Sequence, residues 1–182
     1  MKRKVILYIA MSLDGFIADK YGGVEWLDNF NIKEIMEAYN AFVKTVDTVI
    51  MGKTTYTQLV EDLFPGEWPY EDMESYVLTH EKKVDEDKIT FVDTEAVPLV
   101  ESLRENEGKN IWVLGGAAVV NELLLGDAID EFQIAVIPVL LGSGTRLFEN
   151  EQDEKALKLT GSIVIEGVVN LVYTRINNPQ QP

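Results

Sequence analysis

Short runs of consecutive apolar residues recur along the first part of the chain, and turn residues follow each of them. The longest is VILYIAM at residues 5–11, and others occupy residues 47–51, 75–80, 89–93 and 111–114. A strand buried on both faces shows no alternation of polar and apolar positions. Runs of this length therefore predict the strands of a largely parallel sheet.

Between these runs the apolar positions recur at three- and four-residue spacing, which is the period of an amphipathic helix. This spacing predicts a helix over residues 31–45, another directly after Gly52 and a third over residues 97–106. Residues 117–125 are apolar on nearly every side, as expected of a helix packed on a sheet, and Gly126 follows as a stop signal. The alternation of strands and helices predicts an α/β fold with helices on both faces of the sheet.

From residue 129 onward the pattern contains strands alone. Residues 129–142, 157–167 and 168–176 are rich in β-branched side chains and are separated by glycines. We therefore expect a mixed sheet that is mostly parallel and ends in an antiparallel C-terminal hairpin.

The segment between the second and third predicted strands has a different composition. Residues 61–74 contain two prolines, one glycine and six carboxylates, which predicts an exposed loop. No other segment interrupts the pattern. The sequence therefore predicts a single domain over residues 1–177 followed by a disordered tail at residues 178–182.

The charge and the cysteine count exclude several classes of function. A formal charge of -15, from 31 acidic and 16 basic residues, disfavours nucleic-acid binding, because phosphates would be repelled over most of the surface. With no cysteine and a single histidine, the chain has no disulfide, no thiolate chemistry and no expected metal site. Asp14 and Gly15 interrupt the first apolar run, so neither a signal peptide nor a membrane span is predicted and a cytoplasmic location is the default expectation.

Two glycines stand where the predicted strand at residues 111–114 meets the helix at residues 117–125. Glycines at this point let the backbone approach a phosphate closely while the first amides of the helix face it. Gly115-Gly116 therefore indicates a nucleotide-binding turn, although the third glycine of the Rossmann fingerprint is missing and the motif lies late in the chain. A tight strand-to-helix turn without a ligand is the alternative.

A second strand-to-helix turn, Gly52-Lys53-Thr54-Thr55, places a lysine and two hydroxyls at the start of a helix. Its order resembles the end of a Walker A loop, but the required earlier glycine would fall where Asp47 stands, so a kinase or nucleoside triphosphatase is disfavoured. The turn can hold a phosphate through amides, charge and hydrogen bonds. Alternatively it is an exposed lysine beside a threonine that caps the helix.

Two further strand ends carry polar side chains. Thr79 and His80 end the run at residues 75–80 and can meet a phosphate or a ribose, although a lone histidine is more often a surface residue. Asp14 and Gly15 follow the first strand at the edge where open α/β folds place their ligands. A plain Asp-Gly turn is the alternative.

Taken together, five segments resemble the dihydrofolate reductase-like superfamily in order and spacing. They most closely resemble the RibD C-terminal domain-like family, whose members are similar to the reductase domain of bacterial riboflavin biosynthesis. The segments are IAMSLDGFIA at 9–18, VIMGKTTY at 49–56, YVLTH at 76–80, VLGGAAVVNELL at 113–124 and DEFQIAVIPVLLGSGTRLF at 130–148. The resemblance spans nearly the whole chain and implies a three-layer dihydrofolate reductase-like fold, NADPH as hydride donor and a homodimer.

Carried over residue by residue, the resemblance implies a cofactor site along the carboxyl ends of the strands. Ala10 and Gly15 would flank the nicotinamide, with Thr145 close to the same ring. The lysine-bearing turn would meet the phosphates, the glycine pair and the residues after it would lie beneath the pyrophosphate, and the third segment would end near the adenosine 2′-phosphate. These positions are Gly52, Lys53, Thr54, Thr55, Leu78, Thr79, His80, Gly115, Gly116, Ala117, Ala118 and Val119.

The resemblance is weaker on the substrate side. Dihydrofolate reductases carry a carboxylate on the first long helix, a few residues before a phenylalanine that Phe42 resembles. The aligned position is about Ala38, and the nearest acids are Glu34 and Glu37. Because one residue turns a helix by about 100 degrees, Glu37 is not expected to face the site as a carboxylate at position 38 would. Folate reduction is therefore disfavoured.

The SLDG and GSGTRLF stretches are more similar to the riboflavin-pathway reductases, which reduce a ribosylaminopyrimidine phosphate. The sequence thus predicts an NADPH-dependent reductase acting on a heterocyclic substrate, most like 5-amino-6-(5-phosphoribosylamino)uracil reductase. Asp14 is the first candidate for a polar group on the substrate side, and Glu34 or Glu37 is a candidate proton relay. The alternatives are a dihydrofolate reductase in the strict sense and an NADPH-binding protein without catalysis.

Overall fold

The computed structural model describes residues 2–30, 32–149 and 154–176. Its helices are α1 (Lys33–Val43), α2 (Lys53–Gln58), α3 (Ala96–Arg104) and α4 (Ala117–Leu125), with a 3-10 helix at Glu25–Phe30 and a π-helical turn at Leu59–Leu63. Its strands are β1 (Val5–Ser12), β2 (Phe16–Ala18), β3 (Val46–Gly52), β4 (Glu74–Leu78), β5 (Ile89–Val92), β6 (Asn110–Gly115), β7 (Glu131–Ile137), β8 (Thr145–Arg146), β9 (Leu157–Ile165) and β10 (Val168–Arg175).

Eight of these strands form one sheet in the order β5-β4-β3-β6-β1-β7-β10-β9. The neighbours from β5 to β7 pair in parallel, and β10 runs antiparallel to both β7 and β9. The predicted mixed, mostly parallel sheet with an antiparallel C-terminal hairpin is therefore confirmed. Its parallel part reaches past residue 129, since Ile6 to Ser12 of β1 align with Glu131 to Ile137 of β7.

Two apolar layers cover the sheet, one on each face. On one face α3 and α4 pack over Leu7, Val113 and neighbouring strand residues. On the other face α1 and α2 pack over Ile6 and Trp112. Consecutive residues of β1 thus enter opposite layers, which explains why its sequence is apolar throughout. This arrangement confirms the three-layer α/β fold.

Residues 61–74 depart in part from the predicted exposed loop. The helical turn at Leu59–Leu63 extends α2 into this segment, and Tyr70 and Met73 are buried. The ring of Tyr70 packs edge-on against Trp112, with centroids 5.3 Å apart. The exposed carboxylates dominate the composition here, so the composition hides the buried apolar residues between them.

Several smaller predictions also need adjustment. Strands β2 and β8 form a separate two-stranded sheet, and at two or three residues each they are too short to give a periodic signal. Residue 31, the first of the predicted α1 helix, and the predicted tail at residues 178–182 lie outside the described residues. Within the described ranges, none of the helices has both the length and the apolar composition needed to cross a membrane.

Candidate active-site cleft

A cleft of about 860 Å³ opens at the carboxyl ends of the parallel strands. Ala10 of β1, Gly52 of β3, Leu78 of β4 and Gly115 of β6 line it, because parallel neighbours end at the same edge of a sheet. This edge is where open α/β folds bind ligands. The volume lies toward the upper end of the range of roughly 300 to 1,000 Å³ that is usual for ligand sites.

Two strand-to-helix turns, residues 52–55 and residues 115–119, line the cleft together, and we name them the phosphate turns. Gly52 is the N-cap of α2 and Gly116 is the N-cap of α4. Neither helix has a side-chain cap or an acidic residue in its first turn. The first amides of both helices are therefore available to an anion, and the partial positive charge of each helix start favours one.

Glycine suits the close approach of these turns, because a Cβ atom at either N-cap would be tightly placed. A Cβ atom on Gly116 would lie 3.3 Å from Thr55 Oγ1, and one on Gly52 would lie 3.3 Å from a methyl group of Val119. Gly115 has a φ of 131°, which favours glycine, and its peptide bond to Gly116 is cis. A larger side chain at either N-cap would push the phosphate turns apart.

Lys53 places a positive charge at the mouth of the first phosphate turn. Its ammonium pairs with the carboxylate of Glu81 across the cleft opening, and this pairing lowers the pKa of Glu81. All 16 lysines and arginines lie in the described ranges, and Lys53 is the one among them that lines the cleft. An anionic ligand would therefore compete with Glu81 for the Lys53 ammonium.

The end of the cleft beyond β4 is polar and open. Thr79, His80, Thr94 and Glu95 line it. The exposed His80 ring places Nδ1 2.7 Å from the carboxylate of Asp93. The side chains here can hydrogen-bond a ribose or its phosphate, as the sequence predicts for Thr79 and His80.

A third part of the cleft is apolar, and no sequence pattern predicted it. We name it the apolar wall. Leu63 and Phe64 are large side chains that keep 45% and 41% of their surface exposed while lining a cavity. Large apolar side chains that stay partly exposed inside a cavity favour an apolar ligand. The apolar wall consists of Val24, Leu27, Leu59, Leu63, Phe64 and Tyr70.

Tyr70 adds one polar group to the apolar wall. Its ring is 7% exposed, and its hydroxyl is hydrogen-bonded to Tyr39 of α1. Burial, followed by the nearby Tyr39 hydroxyl, raises the pKa of Tyr70 far above its ordinary value. Tyr70 therefore stays neutral at physiological pH, so its hydroxyl adds no charge to the apolar wall.

Asp14 lies outside the cleft lining and links two loops. Its carboxylate accepts hydrogen bonds from Ser12 Oγ at 2.6 Å and from the backbone amides of Leu141 at 3.1 Å and Gly142 at 2.7 Å. These hydrogen bonds, that of Ser12 first, lower the pKa of Asp14 to about 2. The carboxylate is thus ionised and already engaged, and its role on the substrate side stays a prediction without a supporting contact.

Gly15 is the one predicted cofactor residue that does not line the cleft. It forms the turn after Asp14, donating its amide to the carbonyl of Ser12 and accepting from the amide of Leu147. All the other predicted cofactor residues lie together on the lining. Gly15 therefore shapes the loop beside the cleft, and its contact with a nicotinamide stays a prediction.

Glu34 and Glu37 project from the exposed face of α1. Glu37 lies 3.7 Å from the ammonium of Lys33 on the solvent side of the helix. Neither glutamate is among the described residues that line the cleft. Their predicted role as a proton relay therefore has no contact to support it in this conformation.

Sequence comparisons place the chain among known proteins. The family model for the RibD C-terminal domain matches residues 3–171. Two uncharacterized proteins of Bacillus subtilis strain 168 are similar over nearly their whole length. YwjB is 44% identical over 176 residues, covering 96% of this chain and 99% of YwjB. YyaP is 30% identical over 183 residues, covering 94% of this chain and 95% of YyaP.

Solved structures agree with this placement. A protein of Shewanella sp. PV-4, provisionally named as a riboflavin biosynthesis protein, has a TM-score of 0.83 at 29% identity over 97% of this chain and all of its own. A bifunctional pyrimidine deaminase and 5-amino-6-(5-phosphoribosylamino)uracil reductase of Thermotoga maritima scores 0.72 at 16% identity, covering 96% of this chain and 57% of its own. A dihydrofolate reductase of Enterococcus faecalis in complex with NADP(H) scores 0.71 at 16% identity, over 98% and 100%. The last two likenesses establish the shared fold alone.

Proposed function

Because the chain belongs to the RibD C-terminal domain family, we propose that it is an NADPH-dependent reductase that transfers hydride to a heterocyclic acceptor. The observation that carries this proposal is the pairing of two uncapped helix starts in one cleft. Two such amide clusters side by side are suited to a ligand with several phosphates, as a nicotinamide dinucleotide is.

The residues present fit such a cofactor. The amides of both phosphate turns, the Lys53 ammonium and the hydroxyls of Thr54 and Thr55 would hold its phosphates. Thr79 and His80 would meet the adenosine ribose and its 2′-phosphate. In a protein with a net charge of -15, this local concentration of amides and one ammonium is what allows an anion to bind.

When bound, NADPH would supply the hydride. The protein would orient the two reactants and keep water away from them. Ala10 and Thr145 line the cleft near the centre of the sheet edge, and the apolar wall gives a flat heterocycle a dry surface beside them. The neutral hydroxyl of Tyr70 would hydrogen-bond the acceptor.

An acceptor panel tests the proposal. Pyrimidine, pterin and quinone acceptors are incubated with the protein and either NADPH or NADH, and oxidation is followed by the absorbance of the reduced nicotinamide. We expect acceptor-dependent oxidation with a preference for NADPH. Turnover of dihydrofolate above all other acceptors would identify a strict dihydrofolate reductase, and tight NADPH binding with no oxidation would identify a binding protein without catalysis.

The same assay decides the role of the α1 glutamates. We expect Glu34→Gln and Glu37→Gln to leave turnover unchanged, since both side chains are exposed and lie outside the described lining of the cleft. A large loss of turnover in either variant, with NADPH affinity retained, would restore that residue as a proton relay.

A further inference from the structure

The one cationic side chain of the cleft lies at one end of it. Three carboxylates, Glu95, Glu122 and Glu149, also line the cleft, and Glu122 is engaged by the backbone amides of Ala96 and Val97. All 16 lysines and arginines belong to the described part of the chain, and Lys53 alone among them lines the cleft. It stands at the phosphate turns, whereas the apolar wall carries no cationic side chain. Anion binding is therefore concentrated at the phosphate turns.

A second pocket of about 550 Å³ continues the cleft beyond the apolar wall. Gly22, Val24, Gln58 and Leu63 line both cavities, so the two are contiguous. No lysine or arginine lines this second pocket in the described chain. The pocket holds four carboxylates, which we name the acidic rim: Asp19, Glu25, Glu61 and Asp62.

The acidic rim is held against the apolar wall by specific hydrogen bonds. Gln58 Nε2 donates to the carbonyl of Gly22 at 2.9 Å and ties the loop after β2 to the end of α2. Asp19 accepts from the amides of Tyr21 at 2.7 Å and Gly23 at 2.9 Å, which orders that loop. The neighbouring cation, Lys20, lies over the ring of the exposed Tyr21, 4.9 Å from its centroid.

An acceptor seated on the apolar wall would extend toward this rim. A phosphate or carboxylate on that part of the acceptor would face four like charges and no cation on the lining. Like charges brought together in a partly enclosed cleft repel more strongly than in open water, since the protein lowers the effective dielectric constant.

Building on the proposed function, we propose that the acceptor is a neutral or cationic heterocycle that carries no phosphate or carboxylate. This acceptor class differs from the phosphoribosyl substrate that the Thermotoga maritima relative is named for. The phosphate turns would serve the cofactor, and the apolar wall with the acidic rim would select neutral or cationic acceptors.

Matched acceptor pairs that differ in one anionic group test this inference. One pair is 5-amino-6-ribosylaminouracil and its 5′-phosphate, and another is 7,8-dihydropterin and 6-carboxy-7,8-dihydropterin. At low ionic strength we expect kcat/KM with NADPH to be at least about tenfold higher for the member without the anionic group. We call this ratio of kcat/KM values the anion gap. It should become smaller at about 0.15 M salt, where charges are screened over roughly 8 Å. An equal or higher kcat/KM for the anionic members would overturn the inference and leave the proposed function intact.

Variants assign the effect to the rim. The double variant Glu61→Gln with Asp62→Asn should reduce the anion gap severalfold without changing the NADPH dissociation constant. The matched control is Glu71→Gln with Asp72→Asn, which removes the same charges from another exposed Glu-Asp pair outside both cavities. It should leave the anion gap unchanged. An equal response of both double variants would overturn the assignment to the rim.

Binding keeps the inference testable without turnover. If no acceptor is reduced, the proposed function fails, and calorimetric titration of the NADP⁺-saturated protein with both pairs then decides the inference. Tighter binding of the members without the anionic group supports it. Equal or tighter binding of the anionic members, or binding of no member of either pair, overturns it.

Discussion

The phosphate turns and the apolar wall line the same cleft but are built differently. The turns present backbone amides, and the glycines at the two helix N-caps have little room for a side chain. The wall presents side chains from the loop after β2, from the 3-10 helix at Glu25–Phe30, from the π-helical turn at Leu59–Leu63 and from the loop that follows this turn. A backbone site tolerates many surrounding sequences but is lost when one glycine is replaced. A side-chain site changes gradually, and its specificity can vary while the fold is kept.

Gly116→Val should have the largest effect of the variants, and it should weaken cofactor binding without changing the acceptor part of the cleft. The new side chain would meet Thr55 Oγ1 and cover the amides at the start of α4. If the valine displaces the phosphate turns, cofactor binding has to restore their spacing against overpacking that typically costs about 1 to 3 kcal/mol, so we expect NADP(H) affinity to fall roughly 5- to 150-fold. Calorimetric titration with NADP⁺ measures this change.

Gly161→Val in β9 is the matched control, because its Cβ would meet Val172 at an ordinary 3.6 Å and far from the cleft lining. It should bind NADP⁺ like the parent. If both valine variants lost affinity equally, the loss would reflect general destabilisation and the phosphate turns would not be responsible.

Tyr70→Phe should weaken the use of the acceptor and leave cofactor binding unchanged. The phenyl ring keeps the packing against Trp112 but lacks the hydroxyl. One hydrogen bond contributes about 0.5 to 1.5 kcal/mol, so kcat/KM for the acceptor should fall roughly 2- to 12-fold while the NADP⁺ dissociation constant stays the same. Tyr76→Phe, outside the cleft lining, serves as the control. A change in NADP⁺ affinity on Tyr70→Phe would show that the two parts of the cleft are not separable.

Glu81→Gln should strengthen cofactor binding. The variant removes the carboxylate that pairs with Lys53, so a phosphate would no longer compete for that ammonium. Exposed ion pairs contribute little, and we expect affinity for NADPH to rise only about two- to threefold at low salt. In a Lys53→Met background the same substitution should have no effect. A gain that persisted without Lys53 would refute this explanation.

The smallest effect on binding is expected from Asp14→Asn, which acts on stability instead. The folded pKa of Asp14, about 2, lies below its ordinary value of 3.8, so its contribution is complete above about pH 4 and is lost as the pH falls toward 2. The free energy of unfolding, measured with denaturant, should therefore fall more steeply over this pH window for the parent than for Asp14→Asn. Parallel profiles would show that the carboxylate is not stabilised in the folded state.

The difference between the two parts of the cleft also explains what could be predicted from the sequence. Gly52, Lys53 and Gly116 each stand at a local strand-to-helix junction, so the spacing alone places them at one sheet edge. Leu63 and Phe64 lie in an acid-rich segment, and their position on the wall depends on how α2 ends and packs. Local patterns carry no information on such tertiary contacts.

The same limit applies to the acidic residues. The sequence contains 31 of them, and their order in the chain does not show which face a ligand. The fold places Glu34 and Glu37 in solvent, engages Asp14 in loop contacts, and gathers Asp19, Glu25, Glu61 and Asp62 around one pocket. Two separate segments, residues 19–25 and residues 61–62, supply those four, so only the tertiary structure brings them together.

The hydrogen bonds of Asp14 have a practical consequence for mutagenesis. The carboxylate holds residues 141 and 142, and β8 a few residues later carries Thr145 into the cleft. Replacing Asp14 should displace Thr145 relative to Ala10, and this displacement alone would slow turnover under the proposed function. An alanine scan scored by activity would therefore count Asp14 among the active-site residues in any case, and ligand-bound crystallography is needed to distinguish a substrate contact by Asp14 from this effect on spacing.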